Sequence, residues 1–140
     1  MAEYTATAPQ TVAANQNVLF TETPVCGNNS IVHREGSGII TLRGITSQCR
    51  ARFKVTFGGN ITISSGGTVG PISITIAING EPVSSTSMIV TPAAVGQFFN
   101  VARSIYIDVP SGCCSQVSIR NTSTQSINVQ NSNLIVERVA

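Results

Sequence analysis

The sequence predicts an all-β sandwich or barrel of about ten short strands, on the strength of three observations. Strict alternation appears in "PISITIAINGEPV", where Ile72, Ile74, Ile76 and Ile78 alternate with Ser73, Thr75 and Ala77 before a turn at Asn79 and Gly80. Turn clusters rich in Gly, Asn, Ser and Pro recur between such runs: "CGNNS", "EGSG", "FGGN", "SSGGTVGP", "NGEP", "VPSGCC" and "NTSTQ". No window of about 11 residues has convincing helical periodicity, and the best candidate, "PAAVGQFFNVA", is broken by Gly96.

In chain order, alternation predicts strands over Val12 to Phe20, Ile39 to Ile45, Ala51 to Phe57, Ile61 to Ile63 and Ile72 to Ile78. It continues over Met88 to Thr91, Phe99 to Val109, Val117 to Asn121, Ser126 to Gln130 and Leu134 to Val139. Within "FNVARSIYIDVPSG", Phe99, Val101, Arg103, Ile105, Ile107 and Val109 share one face, with Arg103 the single intruder, and Ala102, Tyr106 and Asp108 take the other. Burying alternate side chains between two sheets accounts for the isoleucines and valines as core.

At 140 residues the chain has the length of one domain that builds its core without metal or disulfides. Only 10% of residues are charged, and Ser, Thr, Asn, Gly and short apolar residues dominate, a balance that excludes disorder driven by charge. Several strands carry apolar residues on both sides, as in "SMIV", "NLIVERV" and Tyr106 opposite Ile105 and Ile107. Part of the outer surface is therefore expected to be buried against other subunits, most simply in a closed homo-oligomeric ring. The one concentration of charge, "RARFK", puts Arg50, Arg52 and Lys54 on one strand face. Without a recognised binding motif it reads as a solvated face, and no nucleic-acid partner is expected. The N-terminal "MAEYTATAPQTVAANQ" has no basic region followed by an apolar core, which predicts cytoplasmic synthesis without a signal peptide and no membrane insertion.

The chemistry-bearing inventory is thin. His33, the only histidine, lies in "VHREGSG" beside Glu35 in a loop, so any catalytic dyad or triad would have to use it. A small hydrolase would require His33 to be buried beside a Ser or Cys in a pocket. The six carboxylates are dispersed, "SSGGTVG" lacks the Lys and Ser or Thr of a phosphate loop, and no loop gathers the acids a calcium ion needs. No catalytic residue, cofactor or metal is expected, and the protein is expected not to be an enzyme. Sequons at Asn28, Asn60 and Asn121 matter only in a secretory pathway. Four cysteines remain: Cys26, Cys49 and the adjacent Cys113 and Cys114. Their spacing is not that of a zinc ribbon or finger, and only Arg50, next to Cys49, offers a charge that would activate a thiol. Disulfides and simple buried thiols stay open as readings.

Two stretches carry a resemblance. "ISITIAINGEPV", Ile72 to Val83, resembles the strand, Asn-Gly turn and strand of C1q and tumour-necrosis-factor-like jelly rolls. The ending "NSNLIVERVA" resembles the final strand of the C-terminal domain of bacterial exosporium collagen-like glycoproteins, and "GIITLRGITSQCRARFKVTF" and "VPSGCCSQVSIRNTS" fit intervening parts of that pattern. The whole chain, "TVAANQNVLFTET" included, also resembles small proteins of gut Clostridia and their prophages. The resemblance implies a jelly-roll sandwich of about ten strands over residues 10–140, preceded by an N-terminal arm, 1–9.

It further implies a compact homotrimer that serves as a structural or adhesive module on a phage virion or on a spore or cell surface. Capsid or surface-layer proteins and surface glycans are the partners this implies. In such a jelly roll Cys26, Cys49, Cys113 and Cys114 are expected at one end of the sandwich. With the strained vicinal bridge set aside, Cys26 and Cys49 would each bond to one member of the Cys113-Cys114 turn, in either order.

Overall fold

The computed structural model describes residues 1–27 and 29–140, so the sequon asparagine Asn28 lies outside the described residues. Two six-stranded antiparallel sheets pack face to face. The first sheet has the order β10-β6-β12-β1-β3, with β2 also pairing β12. It is built from β1 (Ala2–Ala6), β2 (Gln10–Val12), β3 (Glu22–Val25), β6 (Arg50–Ile63), β10 (Phe99–Pro110) and β12 (Ile127–Arg138). The second has the order β4-β5-β11-β7-β8, with β9 also pairing β7. Its strands are β4 (Ile31–His33), β5 (Ile40–Arg43), β7 (Ile72–Ile78), β8 (Glu81–Pro82), β9 (Met88–Val90) and β11 (Cys114–Asn121).

The core lies between the sheets, where period-two alternation sends one side of each long strand. From the first sheet it takes Phe53, Val55, Phe57, Ile61, Ile63, Leu134 and Val136, and from the second Ile40, Leu42, Ile72, Ile74, Ile76, Val117 and Ile119. Arg103, on the apolar side of β10, is exposed, because β10 is an edge strand and its inward positions reach the rim of the sandwich.

Three expectations need correction. Residues 1–9 are not a free arm: β1 pairs with β12 from Ala2 opposite Val136 to Ala6 opposite Ser132, and Ala2, Tyr4 and Ala6 are buried. The run Val12 to Phe20 is not one strand; only Gln10–Val12 is, after which the chain turns through Asn15, at φ 64°, and crosses to the second sheet. There Val18 N–H donates to Ile119 O at 2.8 Å. The third concerns "FGGN", expected as a turn: β6 runs straight through it. Opposite, β12 carries a bulge at which Gln130 pairs with Asn60 and Asn133 with Gly58, leaving two residues facing Gly59. Asn131 takes a positive φ of 54° there, and Ser132 turns inward. A Cβ on Gly59 would lie 3.3 Å from Ser132 Cα, so glycine serves a close approach and not a chain reversal.

Candidate functional site

Cys26, Cys49 and Cys113 sit on connections between the sheets, and Cys114 opens β11. The β5–β6 connection and the β10–β11 turn run side by side, held by Gly44 N–H to Cys113 O at 2.9 Å, Gly112 N–H to Gly44 O at 3.0 Å and Ser111 N–H to Cys49 O at 3.0 Å. The approach is so close that a Cβ on Gly44 would clash with Pro110 O. Backbone bonding therefore brings Cys49 and Cys113 to one end of the sandwich and closes the turn without sulfur. Cys26 follows β3 at the far edge of the first sheet, and Cys114 opens the outward line of β11 that continues through Gln116, Ser118 and Arg120. All four are free, exposed thiols in this structure, which overturns the buried-thiol reading and leaves the expected bridges unformed. Among the described residues, no group of three His, Cys, Asp or Glu side chains is placed to hold a metal ion.

His33 is half-buried, its ring 4.4 Å from that of Tyr4 and 6.4 Å, edge on, from Phe20. Its Nε2 lies 2.8 Å from Ser37 O; a carbonyl only accepts, so Nε2 donates, and Nδ1 is buried without a partner. His33 and Cys26 do line one shallow depression of about 290 Å³ with Tyr4 and Arg43, but no hydrogen bond joins ring and thiol. Burial, and secondarily the Cys26 charge, push the Tyr4 phenol above its usual range. The arrangement is that of a packed aromatic cluster.

On the outer face of the first sheet, Asp108 bridges the expected basic stripe. Arg52 Nε and Nη2 reach its two oxygens at 2.7 and 3.1 Å, and Arg50 Nε lies 3.1 Å away. The Arg52 hydrogen bond, ahead of the two arginine charges, holds the Asp108 carboxyl below its ordinary 3.8. Lys54 stands between Tyr106 and Glu137 in register. The middle of this face is small and neutral: Ala102 is in register with Gly58, and Ser104 with Thr56, which pairs with Ile135. Tyr106, 62% exposed, and Val139 rise beside it and border a depression of about 480 Å³.

A cleft of about 260 Å³ on the outer face of the second sheet went unseen in the sequence. Its floor is Gln116, Ser118 and Arg120 of β11; Asn15, Asn17 and Ile39 form one wall, and the Asn79-Gly80 turn the other. Asn79, at φ 53°, is pinned to β11 by its Oδ1, which accepts the Gln116 N–H at 2.9 Å. Arg120 Nη1 donates to Gly80 O at 2.8 Å, while its Nε is buried without a partner. Among the described residues Arg120 makes no ion pair. The available signals were the Asn-Gly turn and the outward alternation of "CSQVSIRN"; the opposite wall comes from chain about 100 residues away, beyond the reach of local pattern.

No protein-family model and no curated protein matches the chain. Among solved structures it is similar to the globular domain of the zebrafish complement 1qA protein, with 10% identity, a TM-score of 0.62 and coverage of 95% of this chain and 92% of that one. It is also matched to pika GITRL, with 10% identity, a TM-score of 0.46 and coverage of 85% and 88%. A third match is the C-terminal domain of EclA, described as a sugar-binding protein, with 12% identity, a TM-score of 0.44 and coverage of 94% and 79%. The two-sheet architecture and the first of these likenesses make the fold a C1q-like jelly roll.

Proposed function

We propose that the chain is a non-enzymatic structural module that assembles as a homotrimer and decorates a phage virion or a spore or cell surface, with capsid or surface-layer proteins as its neighbours. The observation that carries this reading is the outer face of the first sheet, a neutral stripe of Ala102, Ser104, Thr56, Gly58 and Ile135 flanked by the exposed Tyr106 and Val139. A neutral middle with a large aromatic at its side, bordered by the Arg50, Arg52 and Asp108 ion pairs as a polar rim, is chemically suited to form the core of the roughly 800 Å² per partner that stable association requires. A threefold axis closes such an assembly.

The test is mass in solution. Three times the 14.6 kDa chain mass is expected, falling to one chain mass in Tyr106→Glu, and a wild-type mass near one chain sinks the trimer. Capsid or tail genes beside this one would favour the virion over the spore. On a released particle the proposal extends to bridges from Cys26 and Cys49 to Cys113 and Cys114. Thiol counting before and after oxidation checks this, since four free thiols under both conditions would remove it.

A second reading, a glycan- or receptor-binding module, is favoured by the amide-lined cleft on the second sheet, which a trimer formed through the first sheet leaves open.

A further inference from the structure

The geometry points to a binding site for one carboxylate-bearing sugar residue, a uronic or sialic acid, in the cleft bounded by Asn15, Asn17, Ile39, the Asn79-Gly80 turn, Gln116 and Arg120. This rests on the binding-module reading and is independent of the trimer.

Four properties of the cleft select this ligand class. Its volume of about 260 Å³ is below the roughly 300 Å³ at which pockets for drug-sized ligands begin, so it takes one ring and not a buried chain. Its lining is rich in short amides and a hydroxyl: Asn15, Asn17, Gln116 and Ser118 supply both donors and acceptors, the mixed set that sugar hydroxyls need. Ile39, 41% exposed, offers an apolar wall for the C–H face of a pyranose.

The charge is the sharpest of the four. Arg120 is the only ionisable side chain in the lining, and no carboxylate of the chain pairs with it among the described residues. The two arginines on the opposite sheet, Arg50 and Arg52, both have Asp108. One hydrogen bond to Gly80 O fixes the Arg120 guanidinium, and among the described residues its buried Nε has no partner. A fixed, half-buried guanidinium without a counter-ion favours an anion with two acceptor oxygens, and a carboxylate matches the fork.

Backbone geometry holds the walls before a ligand arrives. Asn79 accepts from Gln116 N–H, the Asn79 N–H donates to Gln116 O at 2.7 Å, and the 13–17 turn is tied to β11 through Asn15 N–H to Asn121 O at 2.9 Å. Little ordering is left for binding to impose, which is the condition under which a small polar ligand gains net affinity.

The test is a titration of the intact protein followed by amide chemical shifts, with glucuronate and the methyl glycoside of N-acetylneuraminate as probes, and glucose and acetate as controls. Saturable shifts confined to the 15–17, 79–80 and 116–120 segments are expected with at least one acidic sugar, with affinity about tenfold above glucose and acetate. The stronger of the two acids identifies the sugar. Arg120→Gln should erase the preference over glucose. Because that change also removes the bond to Gly80, Gln116→Ala serves as the second variant. Its side chain is exposed, so the fold should be kept and the affinity should fall several-fold.

Equal response to glucose, equal response to acetate, or no saturable shift in the cleft each overturns the assignment. A glycan array separates this from the broader reading: neutral glycans bound on the array, with the cleft silent to both acids, would leave a binding module whose site is elsewhere. An array on which nothing binds would remove both.

Discussion

Asn121 shows how much of the fold a single polar side chain organises. It is fully buried; its Nδ2 donates to Val12 O and Gln125 O, both at 3.0 Å, and its Oδ1 accepts the Ser123 N–H at 2.9 Å. In the sequence it is only a sequon at the end of the Val117–Asn121 alternation, yet it joins the end of β2 to the β11–β12 turn. Asn121→Ala strands two carbonyls and an amide, and a loss of about 2–3 kcal/mol is expected in urea unfolding. Asp108 acts at the surface with a defined pH signature. Its native value lies below the unfolded 3.8, so its contribution is fully present above 3.8 and is lost as pH falls through the lower native value. The stability gap between wild type and Asp108→Asn should therefore narrow as the medium is acidified past about pH 4, and narrow further with salt, since all three partners are exposed. Unfolding midpoints across a pH series check both.

Among the elements, the junction of β6 and β12 separates what local pattern reveals from what it hides. The Ile72–Ile78 strand and the Phe99–Val109 alternation were legible because side-chain period alone specifies them. The continuity of β6 through Gly58 and Gly59 was not, because glycine signals a turn locally, whereas here the bulge in a strand about 70 residues later demands it. For the same reason β1 escaped notice: "AEYTA" is short and only its partner, β12, makes it a strand. The two glycines predict opposite outcomes. Gly59→Ala puts a Cβ 3.3 Å from both Ser132 Cα and the Phe57 ring and should cost about 1–3 kcal/mol. For Gly58→Ala the nearest atom is 4.0 Å away, and thermal unfolding should move little or upward.

For the molecule as a whole, the sandwich closes by joining its beginning to its end. Deleting residues 1–6 removes Ala2, Tyr4 and Ala6 from the core and bares one side of β12, so a large drop in unfolding midpoint and a tendency to aggregate are expected; a free arm would be lost without effect. The candidate cleft belongs to this scale as well. Its residues were all visible as ordinary turn and strand-face residues, and only the crossing of 13–18 onto β11 made them neighbours.

The bulge at Asn131 lets one strand serve two clients, pairing β2 through Ile127–Val129 and β1 through Ser132–Val136. On a ribosome those clients are made first and their host last. Until β12 has left the exit tunnel, the chain carries two orphaned strands and an unpaired flank on β6, so its most adhesive edges stay open until their common partner emerges. A neighbouring chain whose β12 has already emerged offers that strand to the open edges of one that has not. For this architecture, the emergence of β12 sets the competition between folding in place and exchanging strands with a neighbour.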